Sequence, residues 1–191
     1  MLLISRPDIG EAAWSRAVRT GVILPLTRDH AVPADVSASI GVRALAIAPA
    51  VPIRCAVTGL SALWLLGFVA GECPLPFRVV VPRGRHPDPP PGWASRQWQW
   101  HTDGAHFEAA QPVADILAVR TADAVATALR LDDHRGVVPA VAAAIRAGGC
   151  ALAEVEAAIA RGGARSPGRE RQLSAWRELK AVILAAGAAR P

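Results

Sequence analysis

Three consecutive valines, Val79-Val80-Val81, stand between Phe77-Arg78 and Pro82-Arg83-Gly84-Arg85, and they restrict the fold more than any other part of the chain. Side chains along a strand alternate between two faces, so an unbroken apolar run demands cover on both. Helices must supply that cover. One lies just upstream, in Val57-Thr58-Gly59-Leu60-Ser61-Ala62-Leu63-Trp64-Leu65-Leu66-Gly67-Phe68. There Thr58 has the form of an N-cap, and Leu60, Leu63, Trp64 and Phe68 keep helical spacing. A chain of 191 residues, 52% hydrophobic, can bury such a core in one or two compact units.

The same rules divide the rest. Asp8-Ile9-Gly10-Glu11 has capping-box form and predicts a helix to Thr20, with Gly21 as the left-handed residue that ends it. Ala13, Trp14, Ala17 and Val18 form its apolar stripe, leaving Arg16, Arg19 and Thr20 toward solvent. Val22-Ile23-Leu24-Pro25-Leu26, a polar turn at Thr27-Arg28-Asp29, and His30-Ala31-Val32 predict a hairpin. Helix, strand, turn and strand make the back half of a winged helix. Asp35 is expected to cap a helix over 36–48, stopped by Pro49 and Pro52.

The proline-dense stretch His86-Pro87-Asp88-Pro89-Pro90-Pro91-Gly92 predicts an extended surface loop. In Ser95-Arg96-Gln97-Trp98-Gln99-Trp100-His101, Arg96, Trp98 and Trp100 share one face. That alternation predicts a half-buried strand, antiparallel to the valine strand. The two tryptophans are expected to pack in the core rather than to stack on bases. Beyond it the chain reads as helical. Thr121 is expected to cap a helix over 122–131, with further helices over 138–147 and 153–160. Ser166-Pro167 is expected to open a last one with the stripe Leu173, Trp176, Leu179 and Ile183. These segments predict a partial winged-helix unit over 1–34, an α/β unit over 35–165, and a C-terminal helix over 166–191.

Chemistry is sparse along this chain. Of 21 basic residues only Lys180 is lysine, and the formal charge of +5 suits a polyanion partner without requiring one. Arg16, Arg19 and Thr20 on the first helix, with Arg28 at the hairpin tip, are the candidate DNA contacts. Arg83 and Arg85 form one basic spot; Arg165, Arg169 and Arg171 belong to a second. Cys55, Cys73 and Cys150 are odd in number and widely spaced, so buried free thiols in a reducing cytoplasm are expected. His101, Asp103, His106 and Glu108 match no metal-site spacing, and no metal or cofactor is expected. Phosphate-binding glycine loops and a nucleophile elbow are absent from the sequence, which argues against an enzyme. The amino terminus does not read as a secretory signal, and the longest apolar stretch falls short of a membrane span.

The run from Val57 to Gly67, the Val79-Val80-Val81-Pro82-Arg83-Gly84-Arg85 strand and basic turn, and the pair Arg120-Thr121 together resemble the AbiEi-type antitoxin family. The resemblance extends over about 10–180. It implies an α/β protein with an N-terminal winged helix that binds operator DNA, followed by an antitoxin domain. It also implies a non-enzymatic regulator of a toxin–antitoxin operon, whose partner, met directly or indirectly, is a nucleotidyltransferase toxin. Arg16, Arg19 and Thr20 would then lie on the recognition helix and Arg28 on the wing. Thr58, Trp64, Arg83, Arg120 and Thr121 would lie in the antitoxin domain, with Arg120 bound to backbone carbonyls or a carboxylate. Ser166-Pro167-Gly168-Arg169-Glu170 resembles the opening of a nuclease-like domain in longer relatives, whose acidic strands do not follow here. A protein-interaction module that no longer binds DNA is the alternative, and a homodimer stays open.

Overall fold

The computed structural model of the chain describes residues 3–94, 96–162 and 167–188. It is a mixed α/β protein with two sheets. The first sheet is built at the amino terminus from β1 (Ile4–Ser5), β2 (Ile23–Pro25) and β3 (His30–Pro33). These strands are antiparallel in the order β1-β3-β2. Between β1 and β2 run α1 (Arg6–Ile9) and α2 (Glu11–Arg19).

Gly10, at φ +78°, separates the two helices, a backbone conformation that glycine adopts without a steric penalty. Asp8 therefore lies inside α1 and does not cap α2, and Glu11 bonds to Arg6 instead of reaching back to a cap. The far end of α2 follows expectation: Thr20 closes it and Gly21 takes φ +69°. Trp14 is pressed against Ile23 and Ala31, with Ile4, Ala17 and Val18 around them, while Ala13 is exposed.

The second sheet contains β4 (Ala56–Val57), β5 (Phe77–Val81), β6 (Trp98–Thr102), β7 (Gln111–Val113) and β8 (Ile116–Ala118), in the order β6-β5-β4-β8-β7. The valine strand β5 sits inside the sheet with only Arg78 incompletely buried. β6 runs parallel to β5, with Phe77 opposite Trp98 and Val79 opposite Trp100. That corrects the antiparallel expectation. The loop over 82–97 carries the chain back to the start of β5 before β6 begins, and an apolar period of two marks a strand without giving its direction. Trp98 is buried and its indole N–H donates to the Ala50 carbonyl (2.9 Å), so it packs in the core as expected.

The helices are α3 (Ile40–Ile47), running on into a 3-10 turn (Ala48–Ala50), α4 (Gly59–Leu65), α5 (Gly104–Glu108), α6 (Thr121–Leu131), α7 (His134–Arg146), α8 (Leu152–Arg161) and α9 (Arg169–Ala188). α6 is the hub, packed against α4, α7, α8 and α9, and its alanines let those neighbours approach closely. All of α4 is buried. Arg43 on α3 lies 5.1 Å above the Trp64 ring and donates to the carbonyls of Trp64 and Val69, closing the end of α4.

Three expected caps are replaced. Ser39, not Asp35, accepts the Val42 amide and starts α3 (3.3 Å). Arg120 holds the cap position of α6, and Thr121 is its first helical residue. Thr58 holds the cap position of α4 but makes no capping bond; among the described residues its buried hydroxyl has no partner. The amide of Leu60 is taken instead by the Asp132 carboxylate, 72 residues on (2.9 Å). In α9, Trp176 and Leu179 are buried as expected but Leu173 faces solvent. Gln172 turns inward in its place and donates to the Ala126 carbonyl (2.6 Å). The expected roles of Ser95 and Ser166 lie outside the described residues. Among the described residues, no helix is long and apolar enough to cross a membrane.

Candidate functional site

α2 is short and amphipathic, and its orientation is fixed by one large side chain. Trp14 points into the small core; at 3.6 residues per turn, Arg16 lies about 200° and Arg19 about 140° further round the helix. Both therefore point away from the sheet. Both are exposed, as is Thr20, whose hydroxyl donates to the Arg16 carbonyl (2.9 Å) and secures the last turn. Arg28 is exposed in the connection between β2 and β3. The Thr27 hydroxyl shapes that connection by accepting from the amides of Asp29 (3.3 Å) and His30 (3.1 Å).

Arg6 joins the two parts. Its guanidinium binds the Glu11 carboxylate, and its Nη1 donates to the Arg28 carbonyl (3.4 Å). The hydrogen bond from Arg6 holds the Glu11 carboxyl below its ordinary value. Among the described residues, Arg16, Arg19 and Arg28 make no ion pair. All four residues expected to meet DNA are exposed; Arg16, Arg19 and Thr20 share the later turns of α2, whereas Arg28 lies by Arg6 and Glu11 at its start.

The other expected basic residues are dispersed. Arg83 and Arg85 are exposed on the turn after β5. Arg169 donates to the carbonyls of Ile159 (2.7 Å) and Gly162 (2.8 Å), closing the end of α8. Arg171 donates to the Asp132 carbonyl (2.5 Å) and pins the start of α9 to the end of α6. Arg165 lies outside the described residues. Arg169 and Arg171 are therefore tied to helix ends and do not form one open patch with Arg83 and Arg85.

Two buried ionic clusters carry no motif in the sequence. In the first, Arg78 Nε meets Asp132 Oδ1 (2.5 Å), its Nη1 donates to Gln99 Oε1 (2.6 Å), and its Nη2 to the Leu131 carbonyl (2.7 Å). Burial pushes the Asp132 carboxyl up, against the opposing pull of Arg78 and the Leu60 amide. Gly59 makes this possible: a Cβ there would lie 2.6 Å from Asp132 Oδ2, at a φ of +59°. In the second, Asp123 is fully buried on α6 and receives Arg161 Nη2 (2.6 Å), with Arg120 Nε 3.4 Å from its other oxygen. The expected carboxylate partner of Arg120 is therefore Asp123.

The cluster His101, Asp103, His106 and Glu108 is divided by the fold. Asp103 caps α5 by accepting the His106 amide (3.2 Å), and Glu108 is exposed. The His106 ring is buried between Asp103, Thr127, Asp123 and the Ala158 carbonyl, to which Nε2–H donates (3.3 Å). Burial, reinforced by Arg130, holds His101 down to about 3, and among the described residues its Nε2 has no partner. Among the described residues, no group of three His, Cys, Asp or Glu side chains is arranged to hold a metal ion. Cys55, Cys73 and Cys150 are free and buried, and burial pushes their thiols up, Cys150 to about 11.

Weaker signals for the ionic clusters do exist in the sequence. Asp123 is the sole acid in an alanine-rich helix, and Arg78 is the sole charge in an apolar strand. A lone charge in an apolar element must find a partner. Set against known proteins, the chain matches no protein-family model and no curated protein.

Proposed function

We propose that the chain is a DNA-binding, non-enzymatic regulator of the AbiEi antitoxin type, with its amino-terminal unit acting as a shortened winged helix. In this reading α1 and α2 are the helix pair, α2 enters the major groove, and the β2–β3 connection is the wing. The observation that carries it is the face formed by Arg16, Arg19 and Thr20, turned outward by Trp14, with Arg28 also exposed in the β2–β3 connection of the same unit. Guanidinium groups with free donors suit phosphate oxygens and guanine edges. Arg6 supports the reading by bracing the turn against the helix pair.

The toxin half of the proposal rests on the ordered resemblance of the Val57–Gly67 run, the Val79–Arg85 strand and turn, and Arg120-Thr121. A nucleotidyltransferase encoded beside this chain is its expected counterpart.

The test is fluorescence anisotropy with duplex DNA from the promoter of the chain's own operon, across a salt series. Salt-sensitive binding is expected. Arg16→Ala with Arg19→Ala should lower the slope of log affinity against log salt by about 2, close to one unit for each phosphate left without its arginine. Absence of binding at low salt, or binding indifferent to that double substitution, defeats the DNA reading in favour of a protein-interaction module. Rescue of growth from the neighbouring toxin on co-expression tests the antitoxin half separately.

A further inference from the structure

A cavity of about 350 Å³ lies where the start of α6 meets β8, the α7–α8 connection and the exposed Glu154–Ala157–Arg161 face of α8. Arg120 and Arg161 line it together with Thr121, while Leu66, Val113 and Ala157 supply apolar wall. Arg161 Nη2 hydrogen-bonds one oxygen of the fully buried Asp123 carboxylate (2.6 Å), and Arg120 Nε lies 3.4 Å from the other, an ion pair without a hydrogen bond. Each remains partly accessible, 48% for Arg120 and 37% for Arg161. Among the described residues, their other N–H groups have no protein acceptor. Arg120 and Arg161 face two carboxylates here, Asp123 and Glu154. The Glu154 carboxylate, also on the wall, is engaged by the Ala151 amide (2.7 Å).

We propose that this cavity is a binding site for a small phosphate-bearing ligand. Guanidinium forks match phosphate oxygens, and anchoring Arg161 on Asp123 before binding removes part of the ordering entropy that a flexible arginine loses. A planar carboxylate can be met by a single fork. Two guanidinium groups on one cavity wall can engage more than one oxygen of a tetrahedral phosphate group, and the apolar wall suits the body of an organic phosphate. Asp123 is a positioning residue: it anchors Arg161, pairs with Arg120 and does not touch the ligand. This site is remote in sequence from Arg16, Arg19 and Arg28 and is independent of the DNA reading.

Titration calorimetry and thermal shift with inorganic phosphate, a nucleoside monophosphate and succinate test the proposal on the full chain. Saturable phosphate binding is expected, with the monophosphate tighter than inorganic phosphate and succinate weaker than both. Arg120→Gln should weaken it by about tenfold or more, the effect of removing one charge-assisted hydrogen bond. Arg161→Lys keeps a partner for Asp123 and should weaken binding while the far-ultraviolet spectrum stays native. Arg16→Ala with Arg19→Ala should leave phosphate affinity unchanged. No saturable binding, or binding that neither Arg120→Gln nor Arg161→Lys alters, overturns the site.

Discussion

The amino-terminal unit turns Arg16, Arg19 and Arg28 outward, whereas the α/β body draws several arginines inward and leaves others, Arg83 and Arg85 among them, exposed. In the body, Arg43, Arg78, Arg130 and Arg169 are drawn inward, where they close helix ends and neutralise Asp132 and Asp103. In the amino-terminal unit Arg16, Arg19 and Arg28 are held at the surface by a core centred on Trp14, Ile23 and Ala31. The difference follows from depth. A large core can surround a guanidinium with carbonyls and a carboxylate, whereas a sheet of two- to four-residue strands has no interior to receive one. Charge count alone therefore says little about binding; what matters is which guanidinium donors the fold leaves unsatisfied.

Substitutions can break this contrast at either end. The largest effect is expected for Asp132→Ala, which strands Arg78 in the interior and uncaps the Leu60 amide. A loss of about 3–5 kcal/mol in urea unfolding is expected, as for breaking other buried ion pairs. Trp14→Ala should remove about 3 kcal/mol or more from the small core. Hydrogen exchange should show α2 and β2 opening while α4 and α6 stay protected; uniform loss of protection would mean the two regions unfold as one.

The pH dependence comes next. His101 has its folded pKa lowered to about 3 from 6.5, so the unfolded chain binds a proton first as pH falls. Its contribution is complete above pH 6.5 and declines toward pH 3, by at most about 1.4 kcal/mol per pH unit. Stability curves of the wild type and His101→Asn should differ in slope over that window, with the variant less acid-sensitive. The smallest effect is expected for Arg16→Ala with Arg19→Ala, within about 0.5 kcal/mol of wild type, because neither side chain holds the fold. A large stability loss there would remove the contrast between the two regions.

Legibility in the sequence followed the range of the interactions. β5, α4, the stop of α2 at Gly21 and the hairpin after it were readable because period and backbone freedom act over a few residues. Features set by distant partners were not. The cap of α4 comes from Asp132, 72 residues away, so Thr58 carried a signal that the fold does not use. β6 announced itself through Trp98 and Trp100, yet its direction depends on the path of the loop before it. β1 is two residues long and has no pattern to read. The outward arginines of α2 were legible because Trp14 alone sets the helix orientation. The cavity at Arg120 was not, since its second arginine arrives from α8.

β3 is a wall shared by two rooms. Ala31 closes one core and its neighbour Val32 closes the other, so consecutive residues of a single strand answer to different partners. Whatever α2 presses against, the recoil passes through one peptide unit into the body. The setting of α2 is thereby tied, through β3, to the core of the body.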